Sequence, residues 1–346
     1  MNSFPFGSLP DGKTVEVYTL ANASGFSFQV ITYGATVTSL RVPDRHGRLA
    51  DVVLGFKTLA DYLAPHPYFG ALAGRVAGRV SRARFVLDGE EYKLAANDPP
   101  NHLHGGWTGF DRRLWSVAAS NASSLRLTYC SPDGEEGYPG TVNVSVTYTA
   151  TNDNALIMET EATTDRATPF NPTQHSYFNL AGEGSGTVAG HELQIHSETC
   201  APTDEHMGLL GRYETVSGRG NDFRQPRRLA DALPHLHKAH GDLYFLPRPE
   251  FGKNSATPRL AARVYEPVSG RMLTVSTTED CLQFYTGVSL DGTLRGKSGQ
   301  PYGAHAGLCL ECEGYPDGAN TPALGDIILR PGHPLRQTTI YAFSTK

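Results

Sequence analysis

Apolar and polar residues alternate over Thr141–Thr149. Val142, Val144, Val146 and Tyr148 fall on one side of an extended chain, and Asn143, Ser145 and Thr147 on the other. A period of two is the mark of a half-buried strand. Weaker runs of the same kind predict strands over Ser27–Thr38, Ser124–Cys130, Ala155–Ala162, Leu193–His196, Arg271–Thr277 and Gly307–Glu313. Helical spacing is scarce: Thr58–Ala64 and Arg228–His240 carry it, and Pro234 limits the second. Gly and Pro supply 60 of 346 residues, more than the ~12% of an average domain, which suits many strands joined by turns. Ala181–Gly190 and Gly218–Pro226 read as surface loops. With no linker, charge run or internal repeat, the expectation is one all-β domain over residues 1–346, built of packed antiparallel sheets with few short helices. Pattern alone does not choose among sandwich, barrel and propeller.

Hydrophobic residues make up 39% and charged residues 19% of the chain, enough apolar material for a sizeable core. The net charge of −5 and the absence of a basic stripe argue against a nucleic-acid partner. No run approaches the ~20 apolar residues of a membrane span, and the N-terminus MNSFPFGSLPDGKTVEV has no signal-peptide pattern. A soluble cytoplasmic protein is expected. Five cysteines, an odd and sparse set, do not form a disulfide framework.

Five clusters carry potential chemistry. Arg75, Arg79, Arg82 and Arg84 crowd one stretch, each either a solvated surface cation or a donor to ligand hydroxyls. In Asn101-His-Leu-His-Gly-Gly106, an extended chain puts His102 and His104 on one face, and the glycines allow close backbone approach to a ligand. A metal site there would need a carboxylate at zinc-type spacing, and none is present. In Asn171-Pro-Thr-Gln-His-Ser-Tyr-Phe-Asn-Leu180, His175 sits among aromatic residues that favour its neutral form. Gly307–Asp317 contains Glu311 and Glu313, both on one face of an apolar strand, where a carboxyl is expected to hold its proton more tightly. Cys309 and Cys312 fall on opposite faces of that strand. Asp242, read alone, is a loop acid.

These clusters, with Ser131-Pro-Asp-Gly-Glu-Glu-Gly-Tyr-Pro-Gly140, Gln283-Phe-Tyr-Thr-Gly287 and Asp291-Gly-Thr-Leu-Arg-Gly296, occur in an order and spacing that resembles the aldose 1-epimerase (galactose mutarotase) family. The resemblance runs from near Tyr33 to Gly332. It implies a large antiparallel β-sandwich of the galactose mutarotase-like supersandwich type. It also implies an isomerase that interconverts the α and β anomers of free aldohexoses such as glucose and galactose. By resemblance, His175 is the catalytic acid and Glu311 the catalytic base, while Arg79, His104 and Asp242 hold the sugar. No cofactor or metal is implied, and the partner is a small sugar; the chain is expected to be a monomer or homodimer.

Gly78, Gln174 and Glu313 depart from the family pattern, which commonly has Asn, Asn and Gln there. The stretch around Asp242 matches loosely. Glu313 is expected either to oppose ionisation of Glu311 or to turn away to solvent or an arginine. Alternative readings are a family member acting on another hemiacetal, an enzyme for a sugar phosphate in which Arg75, Arg82 and Arg84 meet the phosphate, or a non-catalytic carbohydrate-binding protein.

Overall fold

A computed structural model describes residues 3–237, 240–247 and 257–346. Alternating strands assemble into three large antiparallel sheets. The first is a meander of Ser3–Ser8, Thr14–Ala21, Ser27–Ile31, Thr36–Pro43 and Leu49–Asp51. The second has nine strands in the order Ser116–Ser120, Ser124–Ser131, Val142–Ala150, Ala155–Thr164, Leu335–Thr345, Arg271–Thr277, Arg259–Tyr265, Glu192–Ile195 and Arg227–Arg228. The third has six: Tyr177–Phe178, Leu308–Glu313, Cys281–Tyr285, Leu243–Phe245, Thr199–Ala201 and Glu214–Thr215.

The alternation read from the sequence decides how these sheets pack. On the nine-stranded sheet, Val142, Val144, Val146 and Tyr148 point into one buried cluster with Leu125, Leu127, Leu273, Val275 and Tyr341. Leu308, Leu310, Cys312, Leu282, Phe284 and Tyr244 of the six-stranded sheet enter the same cluster from the other side, as do Phe28, Val30 and Val42 of the meander. The result is a sandwich around one continuous core.

One predicted strand divides. Ser27–Thr38 is two strands, Ser27–Ile31 and Thr36–Pro43, because the chain turns through Gly34 and Ala35 at φ of 67° and 48°. A side chain at Gly34 would meet the Asp111 carbonyl at 2.4 Å. The helix at 58–64 is present as Leu59–Leu63, with the Thr58 hydroxyl capping the Asp61 N–H. The second predicted helix shortens to Leu229–Ala232 and a 3-10 turn over Leu233–His235; Lys238 and Ala239 of that prediction lie outside the described residues. Among the described residues, which include all five cysteines, none is joined in a disulfide. Among the described residues no helix is long and apolar enough to cross a membrane.

Candidate active site

The six-stranded sheet has one face in the core and one turned away from it. Pairing aligns Glu311 with Gln283, Glu313 with Cys281, and Cys309 with both Tyr285 and Tyr177. Cys309, Glu311 and Glu313 therefore share the second face. An apolar cluster of Tyr177, Tyr285 and Cys309 lies at one side of this face, and another of Leu243, Cys281 and Tyr315 at the other. Between them runs a polar stripe of Gln283, Glu311 and Glu313.

His175 sits between two short strands, Thr173–Gln174 and Tyr177–Phe178. Its N–H donates to the Ala71 carbonyl and its carbonyl accepts from the Gly70 N–H, both at 2.9 Å, so the backbone is held from both ends. The imidazole stacks on the rings of Tyr177 and Tyr68, at centroid distances of 5.1 and 5.7 Å. Its Nδ1 is 3.7 Å from Cys309 Sγ. Its Nε2 is 3.5 Å from Glu311 Oε2. The side chain of Gln174 goes the other way into the core, donating to the Gly70 carbonyl and accepting from the Tyr148 hydroxyl. That departure from the family pattern belongs to the packing of the sheet.

Burial sets the proton chemistry. With almost no solvent around it, the His175 imidazole is pushed down to about 4, below the near-neutral value its proposed role suggests. Burial pushes Glu311 up to about 8, with Arg79 opposing. Glu313, 1% exposed, is driven well above the carboxylate range by burial first, then by Glu311 and Glu279. Burial is the first cause of the rise at both carboxyls, and any repulsion between the two is mutual, each opposing ionisation of the other. Glu313 turns neither to solvent nor, among the described residues, to an arginine.

His102 and His104 part company. His104 adopts φ 50°, so the two do not share a face. His102 makes its contacts inside the fold: its Nδ1–H donates to the Ala95 carbonyl, and its Nε2 accepts from the Tyr138 hydroxyl. His104 turns to His175, ring centroids 5.1 Å apart, with Tyr68 4.6 Å away. The neighbouring glycines serve chain packing: a Cβ at Gly105 would overlap the Gly74 carbonyl, and one at Gly106 the Glu136 carboxylate. The Gly78 N–H donates to His104 Nδ1 at 3.1 Å. His104 is held neutral by burial, so its proton must be on Nε2.

That tautomer bears on a further feature. His104, His175 and Glu311 each bring one potential ligand atom within 4.8 Å of the others, a proximity that the linear spacing did not reveal. A metal ion needs a free lone pair from each histidine. On His104 one nitrogen is occupied by Gly78 and the other carries hydrogen, so the ring is a donor suited to a hydroxyl oxygen.

Of the four clustered arginines only Arg79 reaches the site. Its Nε donates to Asp98 at 2.6 Å, and it lines a cleft with Gly78, Asp242, Gln283 and His240. Arg75 is buried elsewhere and donates to the Ser131 hydroxyl and the Pro139 and Gly140 carbonyls. Arg82 and Arg84 are exposed, the latter 3.5 Å from Glu91. None of the three meets the condition for a phosphate site. Asp242 is more than a loop acid: it is half-buried, its proton is held more tightly by burial, and Asn221 donates to it at 2.9 Å. Sequence reasoning missed Tyr68, Gln283 and Asn221. Gln283 had a signal, being a polar residue in an apolar strand, and it lies opposite Glu311 on the face turned away from the core.

A family model described as aldose 1-epimerase matches residues 16–342. The galactose mutarotase of Homo sapiens is 44% identical over 340 residues, covering 98% of this chain and 97% of that protein. The aldose 1-epimerase of Escherichia coli (strain K12) is 35% identical over 345 residues, covering 96% of each. The crystal structure of a GalM/aldose epimerase homologue from C. elegans superposes with a TM-score of 0.88 at 29% identity, over 95% of this chain and 98% of that one.

Proposed function

This chain belongs to the aldose 1-epimerase family, and from that premise we propose that it interconverts the α and β anomers of free aldohexoses, glucose and galactose among them, with His175 and Glu311 as its proton-transfer pair. The observation that carries the reading is the 3.5 Å approach of His175 Nε2 to Glu311 Oε2 inside a buried site. Mutarotation needs a proton removed at O1 and one delivered to the ring oxygen. Glu311 takes the O1 proton while the C1–O5 bond breaks, its electron pair passing to O5, and His175 protonates O5. The C1–C2 bond of the open aldehyde rotates, and the same two groups, roles exchanged, close the ring on the other face.

The pair must hold one proton for this. At rest the proton is on Glu311, since that carboxyl sits near 8 and the imidazole near 4. The productive form has the same total and differs only in which side of the gap carries it. Arg79, His104 and Asp242 hold the sugar: two N–H donors and one carboxyl acceptor suit a set of hydroxyl groups. We read the enzyme as cytoplasmic and as a monomer or homodimer.

Polarimetry of freshly dissolved α-D-glucose and α-D-galactose, with purified protein against buffer, tests the activity. A rate equal to the buffer rate for both sugars overturns it.

A further inference from the structure

Glu313 is a buried acid for which the reaction just described has no use. Its Oε2 has no hydrogen-bond partner among the described residues. The groups that face it offer no cation. Glu311 lies two residues away on the same strand face, and Cys281 stands opposite on the neighbouring strand. Glu279 approaches from the start of that strand, and Cys312 belongs to the core face. Asp317, beyond Pro316, is engaged by the Ser81 N–H and Asn320. Arg79 acts on Glu311 and is already bonded to Asp98. From the loop above comes Gly78, whose missing side chain leaves the Glu313 Oε1 about one atom's contact away, at 3.5 Å from an ideal Cβ.

Two carboxyls confined on one strand face without a cation do not both ionise. Glu311 has Arg79 to favour its charged form; Glu313 has only acids and thiols. We propose that Glu311 and Glu313 work as a pair in which Glu313 keeps its proton throughout and donates a hydrogen bond to Glu311 whenever that group is ionised. Glu313 is then a positioning residue for the acid–base step. The idea rests on Glu311 being the base. It answers a difficulty in that reading: a base enclosed by apolar rings needs something to stabilise its carboxylate when the proton moves to His175. A protonated neighbour does so without adding charge.

The test compares wild type with E313Q and E313L in polarimetric pH profiles, on folded protein verified by circular dichroism. An amide can still donate; leucine cannot. E313L is expected to lose roughly ten- to hundredfold in kcat, the scale of a charge-assisted hydrogen bond, with KM little changed. Its alkaline limb should move to higher pH, since an unsupported Glu311 gives up its proton less readily. E313Q should restore most of the rate and the wild-type limb. If E313L does not fold, E313M replaces it. Infrared difference spectra supply a readout independent of turnover: the C=O band of a protonated carboxyl should persist in wild type above the pH at which activity falls, and be absent from E313Q. Three matching profiles would make Glu313 a bystander. An alkaline limb displaced to lower pH in E313Q would mean that Glu313 was ionised and repelling Glu311, which also overturns the proposal. Failure of the catalytic reading is separate, because it would appear as full activity in Glu311→Gln.

Discussion

Nε2 of His175 and Oε2 of Glu311 face each other across 3.5 Å, with both side chains buried. Activity requires exactly one proton on this pair, so kcat/KM should be bell-shaped in pH. The acidic limb is expected near 4, where the imidazole and the carboxyl are both protonated, and the alkaline limb near 8, where the pair loses its last proton. Polarimetry across that range checks it; a single limb near 6.5, the value of an exposed histidine, would contradict the burial argument.

Removing either partner should stop the reaction without unfolding the chain. Glu311→Gln and His175→Asn are each expected to lower kcat by roughly 10²–10⁴. Near-wild-type rates in either folded variant would remove that residue from the mechanism.

The same burial makes Glu311 a liability for stability. Folded Glu311 holds its proton up to about 8, whereas the unfolded chain releases it near 4.5. The native state therefore binds the extra proton between those values, and stability is lost as pH rises through that window. Glu311→Gln should be more stable than wild type at pH 8, on the order of a few kcal/mol, and the difference should vanish near pH 4. Urea unfolding at the two pH values decides it.

Tyr68 shields both imidazoles, its ring 5.7 Å from His175 and 4.6 Å from His104. Tyr68→Phe keeps the ring and should leave the profile within a few-fold of wild type. Tyr68→Ala admits water, weakens the desolvation of His175, and should move the acidic limb upward towards 6.5. An unmoved limb in Tyr68→Ala would assign that desolvation to Tyr177 alone.

Two arginines four residues apart should behave in opposite ways. Arg79→Ala is expected to raise KM with modest change in stability. Arg75→Ala leaves the Ser131 hydroxyl and the Pro139 and Gly140 carbonyls without their buried donor, and should cost about 3–5 kcal/mol in unfolding with KM unaffected in the folded fraction.

Where the signal is local, the sequence carries it. The alternation at 141–149 marks a strand and also which side of it enters the core, because side-chain direction in an extended chain follows from residue number. The same logic separates Cys309 from Cys312 and pairs Glu311 with Glu313. It fails where one residue leaves the extended region. Ala35 divides a predicted strand, and His104 at φ 50° breaks from His102, and neither position announces a left-handed conformation by residue type. Long-range encounters were legible only through family resemblance. Nothing local in the chain brings Tyr68 to His175, Asn221 to Asp242, or the Gly78 N–H to His104. Those contacts are set by how sheets stack.

The strand Leu308–Glu313 presents Leu310 and Cys312 to the core and Cys309, Glu311 and Glu313 to the site. A slip of one residue against Cys281–Tyr285 would exchange the two sets, sending carboxyls into the apolar interior and leucine into the cleft. A misregistered chain is therefore both unstable and inert. During refolding from denaturant, turnover per milligram becomes a count of molecules that have found the correct pairing, and an optical assay on sugar can follow that folding event.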